Sequence, residues 1–343
     1  MPYDVANDPR IDPRLKALLG AMPPIAATDV SGRDQLVADA AAPENKVFEQ
    51  TYKAMMEACD TPAVVSSECL TVTKYEVPSQ PDGNTIHINV IRPMSDEVVA
   101  CVYYIHGGGM AAMSCFDGNY RAWGKIVANN NVAVAMVDFR NSVSASSVPE
   151  VAPFPAGLND CVSGLKWVIA HAADLKIDPA RVVIAGESGG GNLTLATGMK
   201  LLRDGDIGLV TGLYALCPYI AGEWPQERFP SSIQNNGIFL DLHHNRGKHG
   251  YGIEAFDAGD PLAWPSFATA DDVRGLPRVV IHVNECDPLR DEGLEFYRLC
   301  LSAGVPARAR MSMGTMHGTE IFPLACPEIS ADTARDLAAF AKG

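Results

Sequence analysis

The chain reads as a doubly wound α/β protein, with a mostly parallel central sheet, helices on both faces and a helical cap. Three observations predict this. From residue 98 onward, short apolar runs of Val, Ile and Ala alternate with helical stretches. The runs are continuously apolar where a half-exposed strand would alternate with polar residues, which suits strands covered on both faces. One run leads through Gly186-Glu187-Ser188-Gly189-Gly190 straight into a helical pattern, the mark of a sharp strand-to-helix turn. At 343 residues and 47% hydrophobic content, the chain can bury one large core or a core with an added subdomain.

In chain order, the first sixty residues carry helical patterns at 13–19 and 46–59 before any strong strand. Residues 98–105 form a buried strand, followed by a helix near 119–128, a strand at 132–137 and a helix near 156–172. The strand at 181–185 precedes a helix at 192–203. Strands at 209–216, 278–283 and 307–313 and a terminal helix at 331–341 complete the alternation. Segment 219–265, rich in Trp, Pro, His and Asn, interrupts it. Long insertions at the C-terminal edge of a parallel sheet shape binding clefts, so residues 1–60 and 219–265 are expected to form a cap. Residues 61–218 and 266–343 then make the catalytic core.

Composition narrows the function classes. The 27 Lys and Arg stand against 41 Asp and Glu, and the resulting charge of −14 argues against a nucleic acid partner. No apolar run approaches bilayer length, and the first residues lack a basic stretch followed by an apolar one, so a cytoplasmic protein without a membrane span is expected. Nine cysteines lie scattered without a C-x-x-C pair, which suits free thiols in a reducing compartment. Oligomeric state is open, a homo-oligomer included.

The chemistry is carried by glycines, a serine, acids and histidines. Glycines around Ser188 permit a strained turn that lifts its hydroxyl clear of the sheet, making it a candidate nucleophile. His106-Gly107-Gly108-Gly109 follows the strand at 98–105, and three glycines in a row expose backbone N–H groups of the kind an oxyanion hole needs. A serine hydroxyl requires a base, and the base requires an acid that holds its tautomer. His317, in the glycine-flanked loop after the last strand, is the candidate base. His106 and His282 read as structural. His243, His244 and His249 sit in the polar insertion without nearby acids, so a metal site there is not favoured. The acid belongs after the strand at 278–283, where Glu285 and Asp287 compete. Asp287, fixed by Pro288, is preferred, and Asp291 and Glu292 are read as helix-start residues.

The order Ser188, Asp287, His317 is the α/β-hydrolase order. With His106-Gly107-Gly108-Gly109, Asp138-Phe139-Arg140, Phe154-Pro155-Ala156 and 287–293 (Asp-Pro-Leu-Arg-Asp-Glu-Gly), the chain resembles the bacterial branch of the hormone-sensitive lipase family of carboxylesterases, from about residue 98 to the C-terminus. That resemblance implies an α/β-hydrolase fold with a helical cap. It also implies Gly108, Gly109 and Gly189 as oxyanion donors, a small-molecule ester as substrate and no metal or organic cofactor. The chain departs from the family pattern at Glu187 and Gly189, where Asp and Ala are common, at 141–144, and at Thr319-Glu320 after the histidine. The expected activity is hydrolysis of short- to medium-chain carboxylic esters through an acyl-enzyme, lost at acid pH near about 6.5 for a histidine in an ordinary environment. Amide, lactone or carbamate hydrolysis on the same residues, and a non-catalytic ligand-binding homologue, are the alternatives.

Overall fold

The computed structural model describes residues 5–19 and 27–343. Eight strands build one sheet: β1 (Leu70–Pro78), β2 (Thr85–Pro93), β3 (Val99–Ile105), β4 (Ala133–Asp138), β5 (Ile177–Glu187), β6 (Gly212–Leu216), β7 (Arg278–Asn284) and β8 (Ala307–Ser312). Their order across the sheet is β1-β2-β4-β3-β5-β6-β7-β8. The strands β3 to β8 run parallel, while β2 is antiparallel to both of its neighbours.

The continuous apolar runs explain the layering. Side chains along a strand alternate between faces, so in fully buried β3 Cys101, Tyr103 and Ile105 enter one core and Val102 and Tyr104 the other. The first core is closed by the helices Ala156–Ala170, Gly189–Asp204 and Arg290–Ser302, through residues such as Leu165, Leu193 and Phe296. Helices Gly118–Ala128 and Pro327–Lys342 close the second with Trp123, Val127 and Leu337. A sheet buried on both faces has no use for polar alternation.

The expected strands and helices from 98 onward are present, with ends moved by a few residues. Residues 207–209 form a short helical turn, which leaves β6 starting at Gly212, and the terminal helix begins at Pro327. The hairpin β1–β2 was not expected from the sequence. Most of β1 is exposed, so its Thr-Val-Thr-Lys pattern carries no apolar run. A signal was present in Pro81-Asp82-Gly83-Asn84, a turn sequence between two β-branched stretches. It closes with the N–H of Ser79 donating to Asn84 O at 2.8 Å and Gly83 at φ +75°. The N-terminal helices are Pro13–Leu19, Arg33–Ala41 and Pro43–Met56. Among the described residues no helix is long and apolar enough to cross a membrane.

Candidate active site

Ser188 follows β5 directly and caps the helix Gly189–Asp204 with φ +57° and ψ −120°, a left-handed conformation that a non-glycine residue adopts only under constraint. The constraint is visible. Ser188 N–H donates to Leu216 O at 2.9 Å, and Ser188 O accepts from Tyr219 N–H and Asn192 N–H at 3.0 Å each. The flanking glycines are required by close approach: a Cβ on Gly190 would lie 2.0 Å from Ile105 O, and one on Gly186 2.4 Å from Gly190 O. The elbow therefore fits only because β3 and β5 touch it with bare backbone.

The glycine loop after β3 lies beside this turn. A Cβ on Gly189 would stand 2.5 Å from Met110 N and 2.8 Å from Gly109 N, so the helix start and the loop face each other. Gly108 at φ +88° and Gly109 at φ +63° hold a conformation open to glycine. Among the described residues the N–H groups of Gly108, Gly109 and Gly189 have no acceptor. Gly109 thus lies against Gly189, the residue after Ser188, and Gly108 lines the same cavity as Ser188.

Glu187, a departure from the family pattern, organises that loop. Its buried carboxylate accepts from Tyr120 Oη at 2.6 Å and Tyr104 Oη at 2.9 Å, while Tyr120 Oη accepts from Gly107 N–H at 3.0 Å. Burial raises the Glu187 carboxyl above its usual range, against the pull of the two tyrosines. His106, expected to be structural, is buried, stacks on Phe139 at 4.4 Å between ring centroids and lies 3.4 Å from Asp138. Sequence reading did not single out Tyr104 or Tyr120, which come to the site from a strand and a helix.

Asp287 and His317 meet directly. His317 Nδ1 lies 2.8 Å from Asp287 Oδ2, and Asp287 Oδ1 accepts from Leu289 N–H at 2.9 Å. Asp287 is fully buried. Burial alone would lower the pKa of His317, but the Asp287 carboxylate and, after it, the Cys217 sulfur outweigh it and raise the imidazole well above its ordinary value. Glu285 is used elsewhere, accepting from Gly314 N–H at 2.7 Å and so tying down the start of the histidine loop. Gly318 turns that loop at φ +66°. His282 is buried on β7, 2.8 Å from Ser312 Oγ and 3.3 Å from Glu320.

Ser188, His317, Gly108 and Gly109 line one cavity of about 540 Å³. No hydrogen bond joins Ser188 Oγ to His317 in this state, and the Sγ of Cys217 lies within 4.8 Å of donor atoms of both Asp287 and His317. Phe48 and Tyr52 from the N-terminal helices and Phe239 and Leu240 from the insertion complete the cavity wall. Trp224 and Phe229 of the insertion are buried in the core, Trp224 stacking on Tyr219 at 4.6 Å between ring centroids. Glu292 stands in the first turn of the helix Arg290–Ser302, as expected, and has a further role there. Its buried carboxylate accepts from Ile220 N–H at 2.7 Å, Ala221 N–H at 3.1 Å and Trp224 Nε1 at 2.6 Å, which anchors the insertion to the core.

Comparison with known proteins agrees with this architecture. The alpha/beta hydrolase fold family matches residues 102–321. The chain is 32% identical to carboxylesterase NlhH of Mycobacterium tuberculosis over 266 residues, 75% of this chain and 79% of that protein. It is similar to the solved structure of esterase Est22, with 58% identity, a TM-score of 0.98 and full coverage of both chains. Brefeldin A esterase, a bacterial homologue of human hormone sensitive lipase, gives 35% identity and a TM-score of 0.86 over 98% of this chain and 94% of its own. The family match over residues 102–321, the identity to carboxylesterase NlhH and the likeness to brefeldin A esterase make this chain a member of the alpha/beta hydrolase fold family, within its bacterial hormone-sensitive lipase branch of esterases.

Proposed function

We propose that the protein is a serine carboxylesterase in which Ser188 attacks the ester carbonyl, His317 takes the hydroxyl proton and Asp287 holds the ring and its developing charge. The tetrahedral oxyanion is met by the N–H groups of Gly108, Gly109 and Gly189. His317 returns the proton to the leaving alcohol, an acyl-Ser188 remains, and water deprotonated by the same imidazole hydrolyses it. The observation that carries this reading is the 2.8 Å contact of His317 Nδ1 with Asp287 at a cavity that also exposes Ser188 on its strained turn. Hydrogen bonds between nucleophile and base are often open without substrate and tighten when it binds.

The residues around the cleft support short- to medium-chain esters as substrates, since about 540 Å³ walled by Phe48, Phe239, Leu240 and Phe322 suits a modest apolar acyl or alcohol group. Residues 1–60 and 219–265 act as the cap: the Val30 N–H donates to Asn245 Oδ1 at 2.8 Å, and Asn245 returns a bond to Val30 O at 2.9 Å, which couples the two segments. Nine free cysteines, eight of them buried, favour a reducing cytoplasmic location. Turnover of a p-nitrophenyl butyrate solution by the purified protein and by Ser188→Ala tests the assignment. The variant should lose at least about 10³-fold in kcat; equal rates would overturn the role of Ser188.

A further inference from the structure

Cys217 has no part in the scheme above, yet it stands inside the site. It follows β6 with φ +34°, next to Leu216, whose carbonyl accepts from Ser188 N–H, and its own N–H donates to His282 O at 2.6 Å. Its thiol is fully buried, and burial pushes its pKa up to about 11. One donor atom each from Cys217, Asp287 and His317 fall within 4.8 Å of one another, and all three residues are buried. Among the described residues no other group of three His, Cys, Asp or Glu side chains meets that spacing.

We propose that Cys217, Asp287 and His317 form an inhibitory site for a thiophilic divalent cation, with Zn²⁺ the best fit. Zinc bonds to sulfur, nitrogen and oxygen of about 2.0–2.3 Å at tetrahedral angles put the donors roughly 3.3–3.7 Å apart. Cys217 Sγ lies within 4.8 Å of both partners, and His317 Nδ1 and Asp287 Oδ2, now hydrogen-bonded at 2.8 Å, have only to part by under an ångström to admit the ion. The charges agree as well: a thiolate and a carboxylate neutralise the dication, and the neutral imidazole adds a third bond, so little net charge is left in the buried site. The Cys217 proton leaves to solvent as the Zn–S bond forms. Because Cys217 and Asp287 touch no solvent, the ion reaches them from the cavity past His317, which leaves a fourth position for water. Mg²⁺ and Ca²⁺ do not fit, since they demand six or more oxygens. Inhibition rests on the esterase reading: an imidazole bound to metal cannot take the Ser188 proton, and an Asp287 bound to metal no longer holds the ring. Metal binding itself does not rest on it.

The test therefore measures binding apart from activity, on untagged, chelator-treated full-length protein with Cys69, the exposed thiol, replaced by Ser. Calorimetric titration of Zn²⁺ into a Ser188→Ala background should show one ion per chain. Adding Cys217→Ala should weaken binding at least tenfold, with circular dichroism confirming the fold. In the protein that keeps Ser188, Zn²⁺ should suppress ester turnover, EDTA should restore it and equal Mg²⁺ should leave it unchanged. Should Cys217→Ala not fold, Co²⁺ added to the intact chain gives the same answer, through a near-ultraviolet thiolate-to-cobalt absorption band. Equal Zn²⁺ affinity with and without Cys217, absence of one-to-one binding, or Co²⁺ binding without that band overturns the site. Binding without inhibition would keep the metal site and count against His317 as the base.

Discussion

Asp287 and Glu285 stand two residues apart at the end of β7, yet their carboxylates meet different partners. Asp287 holds His317 Nδ1 and Glu285 holds the Gly314 N–H. Asp287→Asn should therefore lower kcat by about 10³–10⁴-fold, because an amide favours the wrong imidazole tautomer. Glu285→Gln should cause a far smaller loss. The two are compared by steady-state kinetics on one ester. The same contact sets the pH response. An imidazolium beside a buried carboxylate is stabilised, so the neutral base appears only as pH rises past a value above the ordinary 6.5. The sequence-based expectation of about 6.5 is corrected upward for that reason. In a pH profile of kcat/KM, activity should climb through this higher pKa, and Asp287→Asn should move the residual limb to lower pH. A limb at or below 6.5 in the unmodified protein would contradict the pairing.

At the scale of elements, Glu292 joins three of them. It sits in the first turn of the helix Arg290–Ser302 and receives the first backbone N–H groups of the insertion together with the indole of Trp224. Burial pushes its carboxyl up to about 8, although three N–H donors pull in the opposite direction. Glu292→Gln removes one acceptor oxygen and should cost about 1–3 kcal/mol, read as a thermal midpoint lower by several degrees. The folded pKa lies above the unfolded one, so folded chains hold a proton that unfolded chains release. The contribution of Glu292 is then complete below pH 4.5 and is lost as pH rises through about 8. The difference in midpoint between the two proteins should accordingly narrow from pH 6 to pH 9. A constant gap would show that Glu292 keeps one protonation state throughout.

For the whole molecule, charge and shape act on the substrate together. The net charge is −14, and the cavity wall carries Glu49, Asp117, Glu187 and Asp241 against Lys53, His244 and His317. Lys53 is already paired with Glu49 at 2.6 Å. Esters that end in a carboxylate should therefore react at least about tenfold more slowly in kcat/KM than neutral esters of equal length, and the gap should shrink as salt is added. A matched pair, butyrate against hemisuccinate of one phenol, measures it; equal rates would mean that the acids at the wall do not act on the bound ester.

Local chemistry in the chain determined much of this. Continuous apolar runs marked β3 to β7 because burial on both faces removes polar alternation, and glycines marked the elbow and the loop because only they fit where backbones nearly touch. The order of Ser188, Asp287 and His317 was legible for the same reason, each standing at a strand end with turn residues around it. Tertiary structure decided the rest. β1 is mostly exposed and pairs with β2, which became a strand by pairing in turn with β4, a long-range event that leaves little trace in hydropathy. Tyr104, Tyr120, Cys217 and Glu292 look like ordinary core or helix residues in sequence. Their partners are residues tens of positions away, and only packing of the sheet and its helices brings those groups within bonding distance.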